Sequence, residues 1–405
     1  MATVALSDWS HITEKIYRKT IDDPDLVQSP FFAMLDKQGG WTGDDTFNFT
    51  VNYSSGQGTG ADFTQAKSNA GPHKGKRFAL SSKEMYGYCL LDDKLIAFAK
   101  SPGAPVSAIT YEVDRVRKQM FRDYSNHIYG MGGSARGKVS SFSGNTVTLT
   151  NNTDSVRFSV GMVIKSSANE DGTSIDAGTS TVTAVNYKAG KVTFGTLHAN
   201  VGNNDFLFRD GDQNDVLTGL GSPYSTTSEK GWIPSADPTS GDSFFGVDRS
   251  AMPEALAGWR VDATAGGTST AHEGLMEAGA YASMLGAQID AIFANPITIT
   301  NFLKGRDSKV IRDEGGEVTI GFTGMRAILA SGTAKIYADP YCPLGRFYGL
   351  SMKTWHLLHN GPTLLDFMKR DGLIWRIDGV TYYAQLVSYS QLYCTNPGMN
   401  FVVLV

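Results

Sequence analysis

The side chains able to ligate a metal, attack a carbonyl or move a proton are scattered along this chain. His356 and His359 stand as His-x-x-His. A zinc site takes three or four ligands, and no third one is near in sequence, so a packed or exposed histidine pair is the better reading. Asp210, Asp212 and Asp215 crowd one loop, Asp-Gly-Asp-Gln-Asn-Asp. Calcium needs six or more oxygens, and the glycine and closing glutamate of an EF-hand are missing; a solvated turn explains the loop. Asp92 and Asp93 are adjacent. Neighbours on a strand point to opposite faces, so they do not converge as an acid–base pair. Gly56-x-Gly58-x-Gly60 is too regular for a dinucleotide loop, and no helix is expected after it. Neither a phosphate loop nor a Gly-x-Ser-x-Gly elbow occurs. Asn48, Asn52 and Asn151 head glycosylation sequons, which matter only in a secreted chain. Cys89, Cys342 and Cys394 are far apart and odd in number, so the expected site of synthesis is reducing and intracellular. No catalytic residue, metal or cofactor is expected, and the chain is not read as an enzyme.

Composition narrows the classes further. The 405 residues are 41% hydrophobic and 19% charged, enough for a large packed core. With 36 Lys and Arg against 40 Asp and Glu, the chain lacks the basic excess of a dedicated nucleic-acid binder. Its 45 glycines and 14 prolines suit many turns and short strands. The longest apolar runs are about five residues, where a membrane helix needs about twenty. The first residues, Met1-Ala-Thr-Val-Ala-Leu-Ser-Asp, lack the basic and apolar regions of a signal peptide.

The elements then fall in order. Trp9, Ile12 and Ile16 predict a short helix over 7–20, with Ser7 as cap. Pro24 and Pro30 break it, leaving an arm. Residues 46–54 alternate: Phe47, Phe49, Val51 and Tyr53 on one face, Asn48, Thr50, Asn52 and Ser54 on the other, the period of a half-buried strand. A polar, glycine-rich stretch from 56 to 75 follows, and strand character resumes over 77–88. This is a two-stranded ribbon with a flexible tip, marginal in water unless it lies on another surface.

Residues 105–129 predict the main helix, with Val106, Ile109, Val113, Val116, Met120, Tyr124 and Ile128 on its apolar face. At 1.5 Å per residue the rod is about 36 Å long. Its polar face carries Glu112, Asp114, Arg115, Arg117, Lys118, Arg122 and Asp123, and Gly130, Gly132 and Gly133 stop it. Residues 134–212 read as an inserted small all-β module, with strands at 146–150, 156–164, 182–186, 191–194 and 206–208. Residues 213–268 are turn-rich. Thr270-Ala-His-Glu273 suggests a capping box opening a helix through about Leu285. The stretch 291–304 mixes helix and strand signals. Asp378-Gly379 marks a hairpin between 374–377 and 380–388, and 401–405 is a final strand. The aromatics interleave with Asn and Thr rather than with Lys and Arg, so packing rather than base stacking explains them.

This order of parts resembles the major capsid proteins of tailed bacteriophages, of the Hong Kong-97-type fold shared with encapsulins and herpesvirus shell floors. The stretch Ile336-Tyr-Ala-Asp-Pro-Tyr-Cys-Pro-Leu-Gly345-Arg-Phe-Tyr-Gly349-Leu, then Lys353-Thr-Trp355, is also similar to the late part of phage capsid sequences. The resemblance covers most of the chain outside 134–212. It implies an α+β fold with an N-terminal arm (1–40), an extended loop (41–88), a peripheral domain with a spine helix (89–133), an inserted β-rich domain (134–212), an axial domain (213–372) and a return to the peripheral domain (373–405). It also implies self-assembly into hexamers and pentamers of an icosahedral head around double-stranded DNA.

On that footing the expected intersubunit contacts are Phe47, Phe49, Val51 and Tyr53. The expected partners are further copies, a separate scaffolding protein, a portal and a decoration protein, with DNA held without sequence reading, no membrane and no cofactor. The expected location is the virion, after assembly in the host cytoplasm. Lys67, Lys74 and Lys76 lie near the loop tip, but no asparagine partner or activating acid stands out, so subunit crosslinking is not carried over. The alternatives are an encapsulin-like compartment or other virion component, and a β-rich hydrolase or carbohydrate-binding protein. The last needs two convergent carboxylates, and none can be nominated.

Overall fold

A computed structural model describes residues 29–41, 46–92, 108–263, 271–304, 326–361, 364–367, 375–376 and 381–405. The expected helix over 7–20, Asp93, Pro105, Val106, Thr270 and the Asp378-Gly379 turn lie outside them.

The first third is built around a ribbon and a helix. A short helix α1 (Pro30–Met34) leads into β1 (Asp36–Gly39). Strand β2 (Thr46–Ser54) runs to a tip holding helix α2 (Phe63–Ser68) and returns as β3 (Lys74–Ser81), antiparallel to β2. The expected strand over 77–88 is in fact two. The chain turns at Ser82 into β4 (Lys83–Asp92), which leaves the ribbon for another sheet. Helix α3 (Ala108–His127) follows; its 20 residues span about 30 Å.

Between 137 and 209 six strands close a barrel: β5 (Gly137–Ser143), β6 (Thr146–Leu149), β7 (Val163–Ser167), β8 (Ser180–Asn186), β9 (Lys191–Phe194) and β10 (Phe206–Arg209), in the order β10-β5-β6-β9-β8-β7. The expected strand over 156–164 is corrected. Asn152–Arg157 is a 3-10 turn, and β7 begins only at Val163. Its Ser155 hydroxyl donates to the Asn152 carbonyl at 2.6 Å, the local competition by which serine favours turns over ladders. The barrel has its own apolar core, including Val139, Val147, Phe158, Val182, Val192 and Phe194.

The turn-rich stretch that follows is largely buried without regular strands, and it ends in α4 (Pro253–Ala257). It lies against the end of α3: the Gly219 amide bonds the Gly130 carbonyl at 3.0 Å and the Leu220 amide the Ile128 carbonyl at 2.8 Å. A Cβ on Gly219 would stand 2.2 Å from the Ile128 carbonyl oxygen, so only glycine fits there.

Two six-stranded sheets complete the molecule. One holds β11 (Trp259–Asp262), β12 (Ala291–Ala294), β13 (Arg326–Leu329), β14 (Gly332–Ala338), β15 (Arg346–Leu350) and β20 (Phe401–Leu404), in the order β11-β20-β15-β12-β14-β13. Helix α5 (Ala271–Met284) sets its small inner residues Gly274, Ala278, Gly279 and Ala282 against that sheet. The ambiguous 291–304 resolves into β12 followed by α6 (Pro296–Lys304).

The other sheet is organised on the 14-residue strand β19 (Thr381–Cys394). Around it pair β16 (Trp355–Asn360), β17 (Asp366–Phe367), β18 (Trp375–Arg376) and β4, with β1 beyond β16. Strands β18 and β19 pair antiparallel on either side of the expected turn. The C-terminal stretch thus divides: β18 and β19 lie in the sheet that carries α3, and β20 in the sheet that carries α5.

Candidate assembly surfaces

The ribbon presents two unlike faces because its sequence alternates. Phe49 stacks on Phe78, ring centroids 5.4 Å apart, and also meets Trp232 at 6.1 Å and Tyr393 at 5.4 Å. Phe47 packs on Tyr393 at 5.5 Å. Val51 is buried, while Phe47, Phe49 and Tyr53 are half-buried against the same core. All four residues nominated as intersubunit contacts therefore face this chain's own aromatic cluster. The opposite face stays in solvent, where the Asn48 side-chain oxygen accepts from Arg77 Nε at 3.1 Å.

The tip is more ordered than its composition suggests. Asp62 caps α2 by accepting from the Thr64 amide at 3.1 Å. Asn69 donates to the Thr59 carbonyl at 3.0 Å, and the Gly56 amide to His73 Nδ1 at 3.1 Å. Sequence reasoning took the tip as polar and missed α2 and its Phe63, which is 80% exposed. Lys67, Lys74 and His73 are exposed beside it. The Asp-x-x-Gln start at Asp62–Gln65 is the signal that could have found the helix.

Helix α3 packs its apolar side on the sheet of β19. Met120 is buried, and Tyr124 Oη lies 2.7 Å from both Ser388 and Ser390 Oγ. Gly87 on β4 lets the helix approach, since a Cβ there would stand 2.5 Å from Met120 Sδ and 2.7 Å from Val116 Cγ1. Near its C-terminus the helix turns polar residues not to water but to the barrel. Arg122 donates to Ser159 Oγ at 2.6 Å and to the carbonyls of Val156 and Phe158. Asp123 is 3% exposed and bridges Arg136 and Arg209 of the barrel. The flanking guanidinium groups of Arg136 and Arg209 hold its carboxyl below the usual carboxylate range, although burial pulls the other way. Arg136 also reaches Asp212 at 2.9 Å. Arg157 extends the seam to the Tyr224 hydroxyl at 3.2 Å and the Tyr341 carbonyl at 2.9 Å.

The other sequence candidates do not converge. His356 Nδ1 sits 3.0 Å from Asp36 Oδ2, while His359 is buried on the same strand. Asp210, Asp212 and Asp215 each take a different cation: Lys165 at 2.8 Å, Arg136, and Lys83 at 2.8 Å. The acidic loop is a set of struts rather than a freely solvated turn. The three cysteines are buried and unbridged. Among the described residues no group of three or more His, Cys, Asp or Glu is placed to hold a metal. Among them, too, no helix is long and apolar enough to cross a membrane.

No family model and no curated protein sequence matches the chain. It superposes on a chain of the cyanophage A-1(L) capsid asymmetric unit with a TM-score of 0.56 at 10% identity, covering 99% of each chain. The capsid of a native GTA particle matches at 0.49 and 10% identity, over 100% of this chain and 99% of that one. A chain of Mycobacterium phage Adephagia matches at 0.43 and 8% identity, over 97% and 92%. The first likeness establishes the fold: this chain is a mixed α+β protein with the fold of a phage capsid chain.

Proposed function

We propose that this chain is a major capsid protein of the tailed-bacteriophage, Hong Kong-97 type, a structural and non-enzymatic subunit of a virion shell. The observation that carries the reading is the end-to-end likeness to a cyanophage capsid chain, at 99% coverage of both. In this reading residues 1–40 are the arm, and the ribbon is the extended loop of 41–88. Helix α3 is the spine, and the barrel is the domain inserted at 134–212. The sheet strands β11 to β15 with α5 form most of the axial part (213–372), and the stretch of β18, β19 and β20 is the return to the peripheral domain (373–405), its last strand β20 pairing into the axial sheet. Copies assemble into hexamers and pentamers, close an icosahedral shell and enclose double-stranded DNA without reading its sequence. Scaffolding, portal and decoration proteins are the further partners.

The ribbon supplies contact to a neighbouring copy. The exposed remainders of Phe47, Phe49 and Tyr53 take part, while Val51, already covered, adds area only within its own chain. Phe63 has the most apolar surface left to bury, and a large side chain fully buried contributes about 1.5–3 kcal/mol before ordering costs. Weak contacts repeated over many copies sum to a strong shell.

The chain co-expressed with its scaffolding protein and viewed by negative-stain microscopy is expected to give closed shells or five- and six-fold rings. A persistent monomer under all conditions would sink the reading. Deleting 56–75 is expected to leave folded subunits that form no stable shell; normal shells would show that the tip is not the clasp.

A further inference from the structure

Among the described residues, twelve buried side-chain polar atoms have no hydrogen-bond partner. Five of them gather where the barrel meets the rest of the chain: Arg122 Nε, His127 Nδ1, Arg136 Nε, Asp154 Oδ2 and Arg157 Nε. The interface is otherwise made of ion pairs and hydrogen bonds to charged groups. Apolar contact across it includes Phe206 against Tyr224, with ring centroids 5.5 Å apart. The barrel's hydrogen-bond ladder closes on itself, and its apolar core is separate from the two larger ones. Detaching it therefore exposes groups that water solvates well, and leaves both cores intact.

His127 sits at the centre of this seam. It ends α3, and its imidazole is 1% exposed. Nε2 lies 3.0 Å from Ser134 Oγ and 3.9 Å from Asp212 Oδ2. The charged groups around it are Asp123 on its own helix, Arg136 before β5, Arg209 at the end of β10, and Asp212 beyond it. The two carboxylates are already shared by two guanidinium groups. A neutral imidazole fits; an imidazolium would be a third cation between two carboxylates.

We propose that the seam between α3 and the barrel is an acid-released joint: protonation of His127 detaches the barrel from the helix while barrel and helix both stay folded. Burial pushes the imidazole down to about 4 from its ordinary 6.5, against the pull of Asp212 and Asp123. Release makes the ring accessible and restores the ordinary value. Proton uptake thus drives opening between these limits. The joint is a property of the single chain and holds whether or not the capsid reading does.

The test is hydrogen exchange by mass spectrometry on the full chain at pH 7 and pH 4.5, corrected for intrinsic rates. The amides of Asn214 and Tyr224, bonded to the Gly133 carbonyl and to Glu170 of the barrel, are expected to exchange at least tenfold faster at pH 4.5. Those of β6 and β9 in the barrel, and of β15 and β20, are expected to keep their protection. His127→Asn is expected to keep the seam protected at pH 4.5, and Asp123→Asn to open it at pH 7. In the unmodified chain the release is expected to have its midpoint between about 4 and 6.5. Loss of protection everywhere at once, no change between the two pH values, an acid release undiminished in His127→Asn, or a midpoint below 4 would each overturn the proposal. The wild-type midpoint decides the matter if either variant fails to fold.

Discussion

Strand β2 and helix α3 are both amphipathic, and the molecule treats their polar faces in opposite ways. The strand turns Phe47, Phe49, Val51 and Tyr53 to the core and leaves Asn48, Thr50 and Asn52 in water. The helix also turns an apolar side to the core, but Arg122 and Asp123 on its polar side are 8% and 3% exposed. An alternating or helical pattern says which face is apolar. It does not say whether the other face meets water or a second polar surface. In α3 the second surface arrives from the barrel, carrying Arg136 and Arg209 to meet Asp123.

The two regions should therefore respond very differently to substitution. The largest effect is expected for Arg136→Ala. It removes a guanidinium 1% exposed at its side chain and leaves Asp123 and Asp212 with a partner missing; breaking one side of a buried pair costs about 3–5 kcal/mol. Urea denaturation measures it, and a loss under 1 kcal/mol would mean that the seam is open to water.

Acid is next. His127 is lowered from 6.5 to about 4, so its contribution is fully present above pH 6.5 and is lost progressively as pH falls to 4. The loss amounts to about 3 kcal/mol at 1.36 kcal/mol per unit. Asp123, lowered in its turn, adds a further loss only below the ordinary carboxylate range. Urea midpoints at pH 7 and pH 4.5, for the wild type and His127→Asn, separate the two.

On the ribbon, Phe49→Ala removes four ring contacts from a half-buried side chain. A loss of about 2 kcal/mol is expected, below the 3–5 kcal/mol of a fully buried phenylalanine. The smallest effect is expected for Thr50→Ala on the solvent face, within about 0.5 kcal/mol. A Thr50→Ala loss comparable to that of Phe49→Ala would erase the distinction between the faces.

Much of this was legible in residue order. The 46–54 alternation, the helix over 105–129 and the strand-rich 134–212 each matched an observed element, because each signal is local and periodic. Other parts were not. The 156–164 stretch is apolar enough for a strand, yet its first half is a turn set by Ser155 and the packing of Phe158 inside the barrel. Helix α2 is too short for periodicity to reveal. The loop of Asp210, Asp212 and Asp215 looked like one cluster; it became three separate struts because their cations come from 165, 136 and 83.

The sequence by itself determined the strongly periodic elements, β2 and α3 above all, and the inward face of each. The tertiary structure decided the partners. It closed the six strands into a barrel, sent β20 and β19 to different sheets, and buried the charges of α3. The reason is physical: a backbone period is a property of neighbours in the chain, whereas the cost of burying Asp123 depends on whether Arg136 and Arg209 reach it.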